Sequence, residues 1–194
     1  GKYWCDQFYQ VPLAKNEADY IQKLKEIVQN EGINVIIPTN DVEILTLSRY
    51  KEEFQKSCNC LIIINTSEEV QRFNDKWLSY LWFDENQIPC PRTYLISDLM
   101  KDKDKLSQLT FPMILKPRIG GGSRSIFRIN SAEELLRYSL VMPDHVLQEY
   151  LYPDHEEYTA GVYRTRDDEV FLIVLKRTLK FGMTNTAETV FDSD

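Results

Sequence analysis

Apolar residues recur at helical spacing through residues 19–29, where Tyr20, Ile21, Leu24, Ile27 and Val28 share one face, and Gly32 marks the end of that helix. A short continuous apolar run at 33–37, INVII, follows; runs of this kind form strands covered on both faces. The run stops at Pro38-Thr39-Asn40-Asp41, and a second helical pattern occupies 42–54. Residues 61–64 repeat the buried-strand pattern. Thr66-Ser67-Glu68-Glu69 then spaces a hydroxyl and a carboxylate as a capping box requires, predicting a short helix toward Phe73. Helix, strand, helix, strand, helix is a βαβ layout, which right-handed crossovers turn into a parallel sheet. The strand expected to open such a unit would precede Gly1, and the chain has no N-terminal methionine, so it reads as a piece of a longer protein.

From Asn74 onward the pattern changes. Asp75 suits the N-cap of a helix with Trp77, Leu78, Leu81 and Trp82 on its buried side. Ile88-Pro89-Cys90-Pro91 forces an extended path, residues 93–96 form a short strand, and 98–108 reads as a charged, solvated connection. Residues 111–129, FPMILKPRIGGGSRSIFRI, read as strand, glycine loop, strand. Ser131-Ala132-Glu133-Glu134 is a second capping box, opening a helix through Leu140. Residues 146–151, 157–164 and 170–180 are three successive strand patterns. The expected fold class is α/β, becoming α+β in the second part, with domains at 1–73 and 74–194.

Composition narrows the partners. The 194 residues include 43% hydrophobic and 27% charged side chains, with a net charge of −7 and a pI of 5.0. No bulk positive field exists to draw in a polyanion, which excludes non-specific nucleic-acid binding as the main role. The four cysteines, at 5, 58, 60 and 90, make no Cys-x-x-Cys pair and no His/Cys ligand spacing. They fit reduced thiols in a cytoplasmic protein. No apolar run approaches the roughly 18 residues of a membrane span.

The candidate chemistry centres on Gly120-Gly121-Gly122-Ser123-Arg124-Ser125. Three consecutive glycines let main-chain N–H groups approach an anion, and Lys116, Arg118 and Arg124 surround the loop with positive charge. A Walker A loop and a Rossmann turn both open a helix, whereas Ser125 here leads into a strand. Two readings remain open at this level: a hairpin flap over nucleotide phosphates, or a flexible basic hairpin tip. Alternation puts Ile114 and Lys116 on one face of the first hairpin strand, where a phosphate would satisfy the lysine; a lysine reaching to solvent is the plainer alternative. Gln148-Glu149-Tyr150-Leu151 ends near Pro153, and a strand leaving its sheet there would expose the main-chain donor and acceptor that an adenine edge requires. Glu157 lies close enough in sequence to join Glu149 at a ribose. Lys176 and Arg177 end the most apolar strand on opposite faces, and Arg177 suits bidentate contact with a phosphate or carboxylate. His145 and His155 flank turns and read as surface positions. No Ser/His/Asp or Cys/His grouping supports covalent hydrolase chemistry.

Several motifs now stand in order: Asn74-Asp75-Lys76 heading a helix, Ile88-Pro89-x-Pro91-x-Thr93, Phe111-Pro112 followed by Lys116-Pro117 and the glycine loop, Gln148-Glu149-Tyr150, and Glu157-Tyr158-Thr159. This order resembles the ATP-grasp superfamily, and within it the large-subunit branch of carbamoyl-phosphate synthase and its stand-alone relatives. The resemblance covers essentially the whole chain and implies a partial parallel βαβ pre-ATP-grasp domain followed by an incomplete ATP-grasp domain. It implies that Lys76 and Lys116 contact nucleotide phosphates beneath a cover of Gly120, Gly121, Gly122 and Ser123. Gln148, Glu149, Tyr150 and Leu151 would read adenine, with Glu149 and Glu157 at the ribose. Lys176 would belong to the nucleotide site, and Arg177 would touch a phosphate or the substrate.

The implied activity is ATP-dependent joining of a carboxylate to an amine or ammonia through an acyl phosphate. Its cofactors would be ATP and Mg²⁺, with magnesium ligands expected beyond the point matching Asp194 and none within the chain, so the 194 residues alone are expected not to turn over. Partners would be small molecules rather than nucleic acid or membrane, and a homo-oligomer is compatible with the reading. A nucleotide-binding sensor or assembly module, and a kinase using the same flap, are the alternatives. The sequence departs from the family at Ser125, where relatives commonly carry a further glycine.

Overall fold

The computed structural model describes residues 3–121, 125–153, 155–180 and 183–190. The chain divides into two compact units, Gly1–Ser79 and Tyr80–Asp194.

In the first unit, α1 (Glu17–Glu31) ends at Gly32, whose left-handed φ of 62° lets its N–H reach Val28 O. Strand β1 (Val35–Ile36) leads to α2 (Asp41–Cys58), where the Asn40 side chain accepts from Glu43 N. Strand β2 (Leu61–Ile62) pairs parallel with β1, and α3 (Ser67–Asn74) begins with both halves of the Thr66/Glu69 capping box in place. Tyr20, Ile21, Val28, Leu47, Phe54, Cys60 and Ile62 form the core. The strands are shorter and less covered than their apolar runs predict: Val35 is 47% exposed and Ile37 69%. This sheet has two strands among the described residues.

Helix α4 (Lys76–Glu85) starts at Asp75, whose Oδ1 accepts from Trp77 N and Leu78 N at 2.9 and 3.3 Å. Its expected apolar face is not buried. The helix passes through the division at Ser79, and none of its residues joins either core.

The second unit holds two antiparallel sheets. The first is ordered β3 (Thr93–Leu95), β6 (His145–Glu149), β4 (Met113–Pro117), β5 (Phe127–Ile129). Residues 98–108 are largely exposed, as a solvated stretch should be, but they are not a plain connection: α5 (Ile96–Leu99) and α6 (Lys103–Ser107) form there, and Ile96 and Leu99 are buried. They pack with Leu135 of α7 (Ala132–Ser139) against Met113, Leu115, Ile129 and Leu147. The second capping box is only half formed. Ser131 Oγ accepts from Glu134 N, but the Glu134 carboxylate reaches Asn130 N instead of the cap residue's own N–H.

The other sheet is β7 (Glu157–Arg164), β8 (Val170–Lys180) and β9 (Met183–Thr189). The threonine-rich β9 sequence, MTNTAET, carried no apolar signal and was not anticipated. His145 is also not the surface histidine its turn position suggested. It lies in β6 opposite Pro117, and both ring nitrogens are buried without a hydrogen-bond partner.

Candidate functional site

Strand alternation gives the four-stranded sheet two different faces. Register aligns Thr93, Gln148, Ile114 and Arg128 in one row across all four strands. Lys116 is two residues beyond Ile114 and shares that side, while Met113, Leu115, Leu147 and Ile129 point to the helices. A cavity of about 720 Å³ opens on the Lys116 side, within the range of small-ligand pockets. Of the residues singled out in the sequence, Lys116, Gln148, Glu149, Tyr150, Leu151 and Glu157 line this one cavity.

Polar contacts order the floor. Lys116 Nζ donates to Gln148 Oε1, Gln148 Nε2 donates to Thr93 Oγ1 at 2.8 Å, and Thr93 Oγ1 donates to Pro91 O at 3.0 Å. Glu149 occupies the opposite side of β6 from Gln148, and its carboxylate accepts from Arg92 N at 3.2 Å, while its own N–H donates to Arg92 O. Arg128 lies over the Tyr150 ring, 4.5 Å from its centroid, a cation–π contact at the cavity rim. Glu157 pairs with Arg177 at 3.2 Å, directly across β7–β8. Arg177 Nε is buried without a hydrogen-bond partner. Lys176 takes the other face, 5.8 Å from the Tyr158 ring centroid. The separation of Lys176 from Arg177 follows from strand alternation.

Gly120 and Ser125 bracket the glycine loop at φ of 111° and 55°, both in the left-handed region. Ser125 therefore holds a conformation that glycine adopts without steric cost. Gly121 is exposed, and Gly122, Ser123 and Arg124 lie outside the described residues. Arg118 N donates to Asp144 O, tying the loop's start to the turn before β6. Lys76 falls in the first unit, where burial lowers its pKa against the opposing pull of Asp75 and Asp41. Thr93 stood in the sequence only as the end of the Ile88-Pro89-x-Pro91-x-Thr93 motif, with no role, and Arg128 carried no signal; the strand register brings both into line with Gln148.

Among the described residues no group of three or more His, Cys, Asp or Glu side chains could hold a metal ion, and none of their helices is long and apolar enough to cross a membrane.

A parallel α/β unit, followed in sequence by an antiparallel sheet with helices on one side and a lysine-bearing cavity on the other, defines a mixed α/β protein with a cavity of small-ligand size. Residues 73–188 match the ATP-grasp domain, and the chain belongs to that family. Residues 2–62 match the PylC-like N-terminal domain.

Among curated proteins the chain is similar to the uncharacterized protein MG011 of Mycoplasma genitalium, 26% identical over 139 residues, covering 70% of this chain and 46% of that protein. It thus spans about half the length of the curated relative it matches. Its fold is similar to carboxyaminoimidazole ribonucleotide synthase from Aspergillus clavatus complexed with ATP, with a TM-score of 0.66 and 18% identity over 94% of this chain and 46% of that one. The biotin carboxylase domain of Hydrogenobacter thermophilus 2-oxoglutarate carboxylase, solved with MgADP, ADP and bicarbonate, matches at 0.62 and 16% identity, covering 79% and 36%. D-alanine-D-alanine ligase from Helicobacter pylori matches at 0.55 and 18% identity, covering 73% and 44%. At these identities the likeness is one of fold.

Proposed function

We propose that this chain is the nucleotide-binding part of an ATP-dependent ligase that joins a carboxylate to an amine or ammonia. The observation that carries the reading is Lys116, a cation set on the cavity side of the sheet by strand parity and held there by Gln148. The solved structures with related folds include proteins complexed with ATP and with MgADP, which supports the nucleotide reading.

In this proposal Lys116 and Lys76 contact phosphate oxygens, and the loop at Gly120, Gly121, Gly122 and Ser123 covers them. The main chain of Gln148–Leu151 reads the adenine edge. Glu157 serves the ribose, and Glu149, whose carboxylate is held by Arg92 N, supports the turn beside it. Arg177, oriented by Glu157, meets a phosphate or the substrate carboxylate, and Lys176 adds positive charge nearby. The reaction has two steps: a carboxylate oxygen attacks the γ-phosphorus and ADP leaves, then the amine nitrogen attacks the acyl carbon and phosphate leaves. The finer resemblance to carbamoyl-phosphate synthase, the division at 73/74, a cytoplasmic location and homo-oligomerisation belong to the same proposal.

Hydroxylamine trapping tests it. Full-length protein incubated with ATP, magnesium and candidate acids should yield a hydroxamate detected by mass spectrometry, because only an acyl phosphate gives one. Nucleotide binding with no hydroxamate and no turnover would favour a sensor or assembly module, and phosphate transfer to a stable acceptor would favour a kinase. The 194-residue chain by itself is expected not to turn over, and ADP release by it would overturn that expectation.

A further inference from the structure

We infer that Thr93 is a positioning residue that sets the polarity of the Gln148 amide and through it positions Lys116 on the cavity side of the sheet. The consequence for nucleotide binding rests on the ATP reading above; the relay itself does not.

The argument is an inventory of protons. A threonine hydroxyl has one hydrogen to give, and Thr93 gives it to Pro91 O, an acceptor that has none to return. Toward Gln148 the hydroxyl can then only accept. The Gln148 amide must present its NH₂ to Thr93 and its carbonyl oxygen to Lys116. Turned the other way, the amide would set two donors against an ammonium and a hydroxyl oxygen against a carbonyl. Thr93 is 2% exposed, so water cannot readily substitute for the hydroxyl.

The relay Pro91–Thr93–Gln148–Lys116 thus runs in one direction across β3, β6 and β4. Its final acceptor is the Pro91 carbonyl oxygen, which has no proton to return.

Labelling of Lys116 by an amine-selective acylating reagent, quantified by mass spectrometry in nucleotide-free full-length protein, reads the relay directly. Thr93→Val should speed labelling about 2- to 12-fold, the range of a lost neutral hydrogen bond, and Thr93→Ser should restore the native rate. Gln148→Met, which removes the acceptor of Lys116 itself without touching Thr93, should speed labelling at least as much as Thr93→Val and serves if that variant does not fold. Native-rate labelling in Thr93→Val or Gln148→Met overturns the proposal. Binding of ATP and of adenosine then separates positioning from general damage. Thr93→Val should weaken ATP and leave adenosine unchanged, whereas equal weakening of both would mean a merely structural role. A wild-type protein that binds no ATP yet shows the expected labelling pattern would sink the nucleotide reading and leave the relay standing.

Discussion

The two antiparallel sheets of the second unit invert the expectation set by their sequences. Strand β8 has the most apolar run in the chain, yet Phe171 and Leu172 are 59% and 63% exposed. Strands β4 and β6 alternate apolar residues with Lys116 and Gln148, yet Leu115 and Leu147 are fully buried. The difference is the third dimension. α5 and α7 close over one face of the four-stranded sheet, while no described helix joins a core with β7–β9. Apolar content states what a strand would gain by burial; packing partners decide whether it gains it.

The sharpest way to break this contrast is to cut a side chain in the covered sheet. Leu115→Ala should cost about 2–5 kcal/mol in urea unfolding of the 194-residue chain. A loss near zero would mean that the helix-covered face is not the core. Next in size, Lys116→Ala should weaken ATP binding by about 1.5–3 kcal/mol, the worth of a charged hydrogen bond, as read by calorimetry. Unchanged affinity would remove Lys116 from the nucleotide site.

A change in the first unit acts as a control. Thr66→Ala removes a complete capping box and should cost about 1 kcal/mol of stability without altering the pH or ligand response of the cleft. His145 supplies the pH arm. Burial lowers its pKa below the ordinary 6.5, with Asp144 opposing. The unfolded chain therefore binds the proton more tightly than the folded one. Stability should hold above about pH 6.5, decline as pH falls below it, and level off beneath the folded pKa. His145→Phe should lose that part of the acid limb, and an identical profile would mean the imidazole titrates as if in water. The smallest effect is expected in the uncovered sheet: Leu172→Ala should change the stability of the 194-residue chain by no more than about 0.5 kcal/mol.

What was readable in advance divides along the same line. Gly32 as a helix stop, the Thr66/Glu69 box, the Asp75 cap and the hairpin around the glycine loop were legible because each is a local event, settled by residues within a few positions of one another. The apolar face of α4, the short helices after Thr93 and the threonine-rich β9 were misread or missed. Their state depends on neighbours distant in sequence: a core that α4 does not join, a core that takes in Leu99, and an edge of β8 that accepts a polar strand. Of the candidate site, the lysine, the glutamine and the acids stood out by type, and the loop by its three glycines.

The order of residues alone determined the locally signalled elements, the parity that puts Lys116 and Ile114 on one side of a strand, and the sequence of motifs that marks an ATP-grasp domain. Only the tertiary structure decided that Thr93, Gln148, Ile114 and Arg128 form one row, and that Gln148 faces a lysine while Glu149 faces a main-chain N–H. The physical reason is register. A shift of one residue between β4 and β6 would preserve every local preference and still send Gln148 to the opposite side of the sheet from Lys116.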